Sequence, residues 1–289
     1  MVDRRRFFLQ LGAVFIVLLG MAAVGEHPNT ELIALVFAAV LVWTQAGRKF
    51  LREFAPALLL LLIYKRLRTP ANELLGLDVN VQNLIDWEKW LGGGTLPNYA
   101  VQSHLWGQFY TPLLDRITNF FYQFHFLWPL ILAALLWRYA YSSYRAYAVG
   151  LVVLSYAALI VYVVFPAAPP WWATYFGYLP DQPVSLDHYV TSAAHMARFS
   201  ANPVAAMPSL HTAYPTFIML VALRVWGRRA LPIIALPLVV AFSTVYLGHH
   251  YVIDALAGAF FSAVTFATVY LPLEKRAARQ VLEVSTAVS

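Results

Sequence analysis

The chain has 289 residues, of which 61% are hydrophobic and 12% charged, and it contains no cysteine. A water-soluble domain of this length carries about twice that charged fraction, so an ordinary soluble fold is excluded, and so are disulfides, thiolate catalysis and Cys-ligated metals. The net charge of +6 is spread in small groups beside apolar runs instead of forming one stripe, which excludes nucleic acid as a partner and points to membrane topology.

Eight apolar spans are predicted in chain order, at 7–24, 31–46, 51–67, 117–137, 145–165, 208–225, 231–248 and 251–271. In lipid only helices and closed barrels satisfy the backbone, and these runs are too long for barrel strands. The expected fold class is therefore all-α, a polytopic helical membrane protein forming a single membrane domain over 1–289. Within it, 1–53 holds N-terminal spans, 54–275 the core and 276–289 a cytoplasmic tail. The first span follows MVDRRR and is long for a signal-peptide core, so a retained anchor is expected. The third span is the weak one, because its uninterrupted apolar stretch, Phe54 to Tyr64, is short. It is either re-entrant or crossing, and the parity of the later Arg-rich turns favours crossing.

With the N-terminus in the cytoplasm, most basic clusters fall inside: Arg4 to Arg6, Arg48, Lys49 and Arg52, Arg138 and Arg145, Arg224, Arg228 and Arg229, and Lys275, Arg276 and Arg279. The positive-inside rule then puts both termini in the cytoplasm, and a plasma (inner) membrane is the expected location. Two outer segments are long. In 69–116, Leu77, Val81, Leu84, Ile85 and Leu91 recur at helical spacing beside Trp87, Trp90 and Trp106, which predicts one or two helices in the membrane interface. In 166–207, the opening FPAAPPWWATYFGYLP carries four prolines, which forbid a helix there.

Three groups of residues carry chemistry. In YLGHHYVIDALAG (246–258), His250 and Asp254 are four apart and share a helix face. The carboxylate is then able to fix the imidazole tautomer and leave the other nitrogen bare, as base or nucleophile. His249 is five positions from Asp254, points elsewhere, and is assigned to substrate binding. In NPVAAMPSLHTAYP (202–215), Pro208 suits the first turn of a helix, whose free N–H groups and dipole make an anion site. There the Ser209 hydroxyl is a further donor, and His211, one turn in, exchanges a proton with the bound group. In LLIYKRLRTP (61–70), Lys65, Arg66 and Arg68 oppose the positive-inside trend, which binding of a lipid phosphate explains. All three groups fall on the outer face. His125, in FYQFHFLWP, is either a packed core histidine or a partner of the site. No HExxH motif is present and no metal is expected. A transporter is disfavoured, because the span centres are apolar except for His125 and the ionisable groups lie at one face.

These motifs resemble the type 2 phosphatidic acid phosphatase superfamily. That family's P-S-G-H and S-R-x5-H-x3-D patterns match Pro208-Ser209-Leu210-His211 and Ser243-Thr244-x5-His250-x3-Asp254. Within it, the chain is most similar to the inositol phosphorylceramide synthase branch and its bacterial relatives. The likeness there is carried by FPxxPPW (Phe165 to Trp171), AxPSLH (Ala206 to His211) and STxYLxHHYxxD (Ser243 to Asp254). It extends weakly to Tyr64, Arg68, Asp86, His125 and Phe126. Two features depart from the superfamily: its K-x6-R-P motif is not present in that form, and Thr244 stands where the third motif has Arg.

The resemblance implies a six-helix core and a phosphohistidine mechanism without cofactor. His250 is then the nucleophile, Asp254 orients it and His211 is the general acid and base. Ser209, Arg68, Lys65, Arg198, His249 and His125 are the candidates for binding substrate. The implied partners are a phospholipid donor and a lipid alcohol or water as acceptor. Transfer of inositol phosphate is the leading reading, with a lipid phosphate or polyprenyl pyrophosphate phosphatase as the alternative. The resemblance extends also to soluble vanadium-dependent haloperoxidases. The oligomeric state is left open.

Overall fold

The computed structural model describes residues 45–186 and 202–288, together with Leu9, Gly12, Ala13 and Ile16. The predicted spans 7–24 and 31–46 therefore lie almost wholly outside the described residues, and Arg198 lies outside them. The named elements among the described residues are all helices, with isolated bridges and no named strand.

Helix α1 (Gln45–Arg68) runs unbroken for 24 residues. At 1.5 Å per residue it is about 36 Å long, longer than a hydrocarbon core of about 30 Å. Phe50 and Phe54 stack on each other and pack on Tyr144, while Leu59, Leu60, Leu62 and Ile63 are exposed on the opposite face. Charges crowd both ends of α1, which is why its apolar middle looks short in the sequence.

Four stretches are long and apolar enough to cross a membrane: Thr111–Tyr139, Tyr141–Val164, Leu210–Tyr246 and Val252–Gln280. The first holds α4 (Thr111–Gln123) and α5 (Leu127–Tyr139), joined by a 3-10 turn, Phe124–Phe126. The second is α6 (Tyr141–Val164). The third is two helices, α8 (Leu210–Trp226) and α9 (Ala235–Tyr246), packed on each other and joined by the 3-10 segment Gly227–Ile234. The fourth runs from α10 (Val252–Thr265) through a π turn, Phe266–Tyr270, into α11 (Leu271–Val288). The predicted spans 208–225 and 231–248 thus fall in one continuous helical run. Four stretches instead of eight qualify because of that merger, because α1 is too charged, and because two spans lie outside the described residues.

Helix α8 is the axis of the packing and touches α5, α6, α9 and α10. Its Phe217 stacks on Tyr147 of α6, with ring centroids 5.5 Å apart. Small residues set the close approaches. Gly258 lets α10 lie against the start of α8, where a Cβ would fall 2.2 Å from the Ser209 carbonyl oxygen.

The two long connections form a cap at the end where α8 begins. It contains α2 (Gln82–Leu91), α3 (Pro97–Leu105) and α7 (Pro170–Tyr175). Extended pieces around Asn80, Ala167 and Ala205 are stitched together by backbone bonds, including Asn80 N–H to Pro166 C=O at 2.8 Å and Ala167 N–H to Val204 C=O at 2.7 Å. Helix α7 corrects the expectation that the prolines forbid any helix in this segment. Pro170 occupies the first turn, where a missing N–H is harmless, and the helix lasts six residues.

Candidate active site

The site is built where α8 starts and α9 ends. Ser209 is the N-cap of α8, with extended backbone, and Leu210 is the first helical residue. Pro208 therefore precedes the helix instead of lying in its first turn as the sequence suggested. The Ser209 N–H donates to the Asp254 carbonyl at 3.0 Å, locking α8 to α10. Its hydroxyl is buried, has no partner among the described residues, and is not among the groups lining the cavity below. The backbone bond to Asp254 is a feature of Ser209 that the sequence did not announce.

Past α9 the chain reverses at Gly248, whose φ of +76° suits glycine. Both the His249 and the His250 N–H then donate to the Thr244 carbonyl, at 2.9 and 3.1 Å. Thr244 itself is fully buried and its hydroxyl bonds back to the Ala241 carbonyl. This turn carries His250 to the start of α10 and presents its ring to His211. The His211 Nδ1 and His250 Nε2 atoms are 3.0 Å apart, so one ring donates to the other. On the far side of His250, Nδ1 lies 3.5 Å from Asp254 Oδ2. That is an ion-pair distance, longer than an ordinary N–H···O bond. Asp254 Oδ2 accepts the Tyr251 N–H at 2.8 Å, so this carboxylate caps its own helix as well as facing His250.

The paired imidazoles open onto a cavity of about 330 Å³. It is lined by His125, His211, His249 and His250 with Lys65 and Arg68, and by Leu58, Leu61 and Leu62, which lie about two to three turns back along α1 from Arg68. Arg68 reaches it from the end of α1. Its guanidinium lies 5.8 Å from the centre of the Tyr162 ring, and its buried Nε has no hydrogen-bond partner among the described residues. Asn202 holds this end of α1 by donating to the Arg68 carbonyl at 2.8 Å. His125 lies in the 3-10 turn, with Nδ1 2.6 Å from the Tyr122 carbonyl and its ring centroid 3.8 Å from that of His211. The His249 imidazole is buried, and burial, followed by the neighbouring His250, pulls its pKa down to about 3. It is a neutral group at any ordinary pH, and its Nε2 is without a partner among the described residues.

The structure therefore brings together His211, His250, His249, His125, Arg68 and Lys65, with Asp254 directly behind His250. Arg66 is exposed on α1, and Asp86 is exposed on α2, where it accepts from Gln82. Among the described residues no group of three or more His, Asp and Glu is arranged to hold a metal ion.

Sequence reasoning missed several residues. The Tyr122 ring is sandwiched between His211 and His249, at centroid separations of 4.5 and 4.2 Å. From the cap, Asn98 donates to the carbonyls of Val245 and His250, both at 2.8 Å, and Gln102 donates to Tyr246 at 2.8 Å. Glu88 accepts the Val252 and Ile253 N–H groups at 2.8 and 3.1 Å. A signal for Glu88 was available, since Val81, Leu84, Ile85 and Glu88 follow one helical stripe and the carboxylate falls on the apolar side. Tyr122, Asn98 and Gln102 have no such signature.

Comparison with known proteins agrees with this geometry. Residues 82–268 match the family model described as PAP2 superfamily. The chain is 26% identical over 170 residues to an inositol phosphorylceramide synthase of Candida albicans, covering 52% of this chain and 35% of the relative. It is 30% identical over 131 residues to a phosphoinositol dihydroceramide synthase of Bacteroides thetaiotaomicron, covering 40% and 42%. It is 29% identical over 188 residues to an inositol phosphorylceramide synthase catalytic subunit of Saccharomyces cerevisiae, covering 58% and 47%. The chain thus spans between about a third and a half of the length of these relatives. No solved structure gives a significant match. The matched model takes in both histidine motifs, the cap and the four apolar stretches up to the π turn, and the chain belongs to the PAP2 superfamily as an integral membrane enzyme.

Proposed function

We propose that the protein is a lipid phosphotransferase working through a phosphohistidine, moving inositol phosphate or a similar phosphorylated head group from a phospholipid to a lipid alcohol. One observation carries the reading: two imidazoles in contact at 3.0 Å line a cavity together with two cations, Lys65 and Arg68, and with leucines further back along α1. A head-plus-chain lipid has the same polarity profile. The relatives named as inositol phosphorylceramide and phosphoinositol dihydroceramide synthases support the head-group assignment.

With its Nδ1–H directed at Asp254, His250 carries a lone pair on Nε2, which accepts from His211 Nδ1–H in the resting contact. A phosphoryl group enters as the rings part. His250 Nε2 forms the N–P bond in line as the P–O bond to diacylglycerol breaks. The His211 proton goes to the departing oxygen. The acceptor hydroxyl then attacks phosphorus, His211 takes its proton, and the N–P bond breaks. Arg68, Lys65 and the neutral His249 N–H stabilise the equatorial oxygens, and such positioned charge carries most phosphoryl transfer. Asp254 stabilises the imidazolium character that His250 acquires. The site lies on the extracytoplasmic face, with α1, α4–α5, α6, α8, α9 and α10 as the six-helix core.

The test is incubation of the purified protein with labelled phosphatidylinositol and a ceramide or diacylglycerol acceptor, read by lipid mass spectrometry. Release of diacylglycerol with a new inositol-phosphate lipid, lost in His250→Ala, is the expected result. Free phosphate from phosphatidic acid with no transfer product would assign the protein to lipid phosphate hydrolysis instead. Undiminished turnover by His250→Ala would remove the nucleophile assignment.

A further inference from the structure

We infer that Glu88, outside both histidine motifs, is a positioning residue for His250, acting from the cap. The inference rests on the functional reading of His250 as nucleophile. Glu88 is fully buried on the inner face of α2 beside Leu84 and Ile85, while Trp90 on the outer face of the same helix is 83% exposed. A carboxylate is costly to bury unless its charge is answered by hydrogen bonds. Here both oxygens are answered, Oε1 by the Val252 N–H at 2.8 Å and Oε2 by the Ile253 N–H at 3.1 Å. These are first-turn donors of α10, which have no acceptor within their own helix. The preceding donor, Tyr251 N–H, is taken by Asp254. Two carboxylates from separate elements therefore hold three consecutive N–H groups immediately after His250.

The same reversal is held from a second side by α3. Asn98 spans it, donating to Val245 at its start and to His250 at its end. Gln102, one turn on, donates to the Tyr246 and Ser185 carbonyls and accepts the Ser185 N–H at 3.1 Å. Apart from the local turn bonds of Leu247 and Gly248, the backbone of this reversal is thus held by Thr244, Asp254 and the cap. The histidine ring is fixed because the peptide groups on both sides of it are fixed. Glu88 does this without touching the cavity, since it is absent from the lining that includes His250. Its loss leaves the phosphate-binding groups Arg68, Lys65 and His249 in place while freeing the nucleophile to wander.

The expected signature is a selective loss of kcat. A 1 Å misplacement of a reacting group costs about a hundredfold in rate. Glu88→Gln keeps the size but points an N–H at an N–H, so kcat falls by tenfold or more, to about a hundredfold, while KM for the same donor stays near wild type. Glu88→Asp, which retains the charge on a shorter arm, recovers part of the loss. Asn98→Ala, which releases the Val245 and His250 carbonyls, lowers kcat in the same way and serves if Glu88→Gln does not fold.

The assay compares these variants with wild type and His250→Ala on labelled phosphatidylinositol and on phosphatidic acid in mixed micelles. Acid-labile label retained on the protein is scored alongside product. Reduced kcat and reduced label at unchanged KM supports the inference. Wild-type kcat in both Glu88→Gln and Asn98→Ala, with His250→Ala inactive, overturns it and leaves the functional reading standing. Loss of kcat that tracks only the fraction of folded protein, with no recovery in Glu88→Asp, makes Glu88 merely structural and also overturns it. An active His250→Ala, or a wild type that consumes neither donor, overturns the functional reading and this inference with it.

Discussion

Replacing Gly258 with alanine tests whether the contact between α8 and α10 sets the geometry of the two histidines. A Cβ at 258 would lie 2.2 Å from the Ser209 carbonyl oxygen, 3.2 Å from its carbonyl carbon and 3.3 Å from the Ala213 nitrogen. All three are backbone atoms, so no side chain can swing aside. Ordinary contact begins near 3.4 Å, so α10 must retreat by about 1.2 Å from α8. That movement separates the Asp254 carbonyl from the Ser209 N–H it now accepts at 3.0 Å, and draws Asp254 and His250 away from His211. Overpacking costs about 1–3 kcal/mol and the lost hydrogen bond about 1 kcal/mol, so a destabilisation of roughly 2–4 kcal/mol is expected. A displacement of that size at the reacting nitrogens lowers kcat about a hundredfold. Thermal unfolding in detergent and kcat on the folded fraction measure the two effects separately. Gly150→Ala is the control: its Cβ meets the Phe217 ring at 2.5 Å, between α6 and α8, so it lowers Tm while kcat is kept. Wild-type Tm and kcat in Gly258→Ala, or equal kcat losses in both variants, would refute this account of the helix contact.

Arg68→Ala should raise KM and lower kcat for a phospholipid donor, and Arg68→Lys should recover little of either, because an ammonium does not reproduce the fork of donors beside Tyr162; full rescue by lysine would count against a guanidinium role. Tyr122→Leu, losing two ring stacks of about 1 kcal/mol each, should cut kcat at least tenfold by releasing His211 and His249, and Tyr122→Phe, which keeps both stacks, should retain more of the rate than Tyr122→Leu. Steady-state kinetics on the two variants checks this. Glu88 should give opposite pH signatures in stability and activity. Burial, with Asp254 adding and the Val252 and Ile253 N–H bonds opposing, pushes its carboxyl from 4.5 up to about 7. Tyr251 also faces it from the turn, Asp86 and Lys89 lie on its own helix, and Tyr99 packs in the same cluster. Because the folded value is raised, its contribution to stability is complete below about 4.5 and is lost as pH rises through about 7. The cap itself needs the ionised acceptor, so kcat rises across that window. Wild-type Tm should therefore fall more steeply than that of Glu88→Gln between about pH 5 and pH 8; parallel curves would remove Glu88 as the titrating group.

Membrane helices, the paired motifs around His211 and His250 and the basic residues at the end of α1 were legible because each is a local property. Apolar runs announce spans through the cost of an unsatisfied backbone in lipid. The spacing of four announces that His250 and Asp254 share a turn. Boundaries were less legible where two local signals compete, as in α1, whose terminal charges hide a helix of 24 residues, and in α7, where proline permits one turn but no more.

The sequence by itself nominated the residues proposed for the chemistry and determined that they belong to a helical membrane protein, since residue type and short-range periodicity suffice for both. Only the tertiary structure decided what holds them. Ser209 bonds Asp254 through its backbone, Asp254 caps a helix while facing His250 at 3.5 Å, and Tyr122, Asn98, Gln102 and Glu88 reach His211 and the turn around His250 from 89 or more residues away in sequence. Hydrogen bonds and ring stacking depend on distances of a few ångströms between elements, and no local pattern encodes a distance across that much chain.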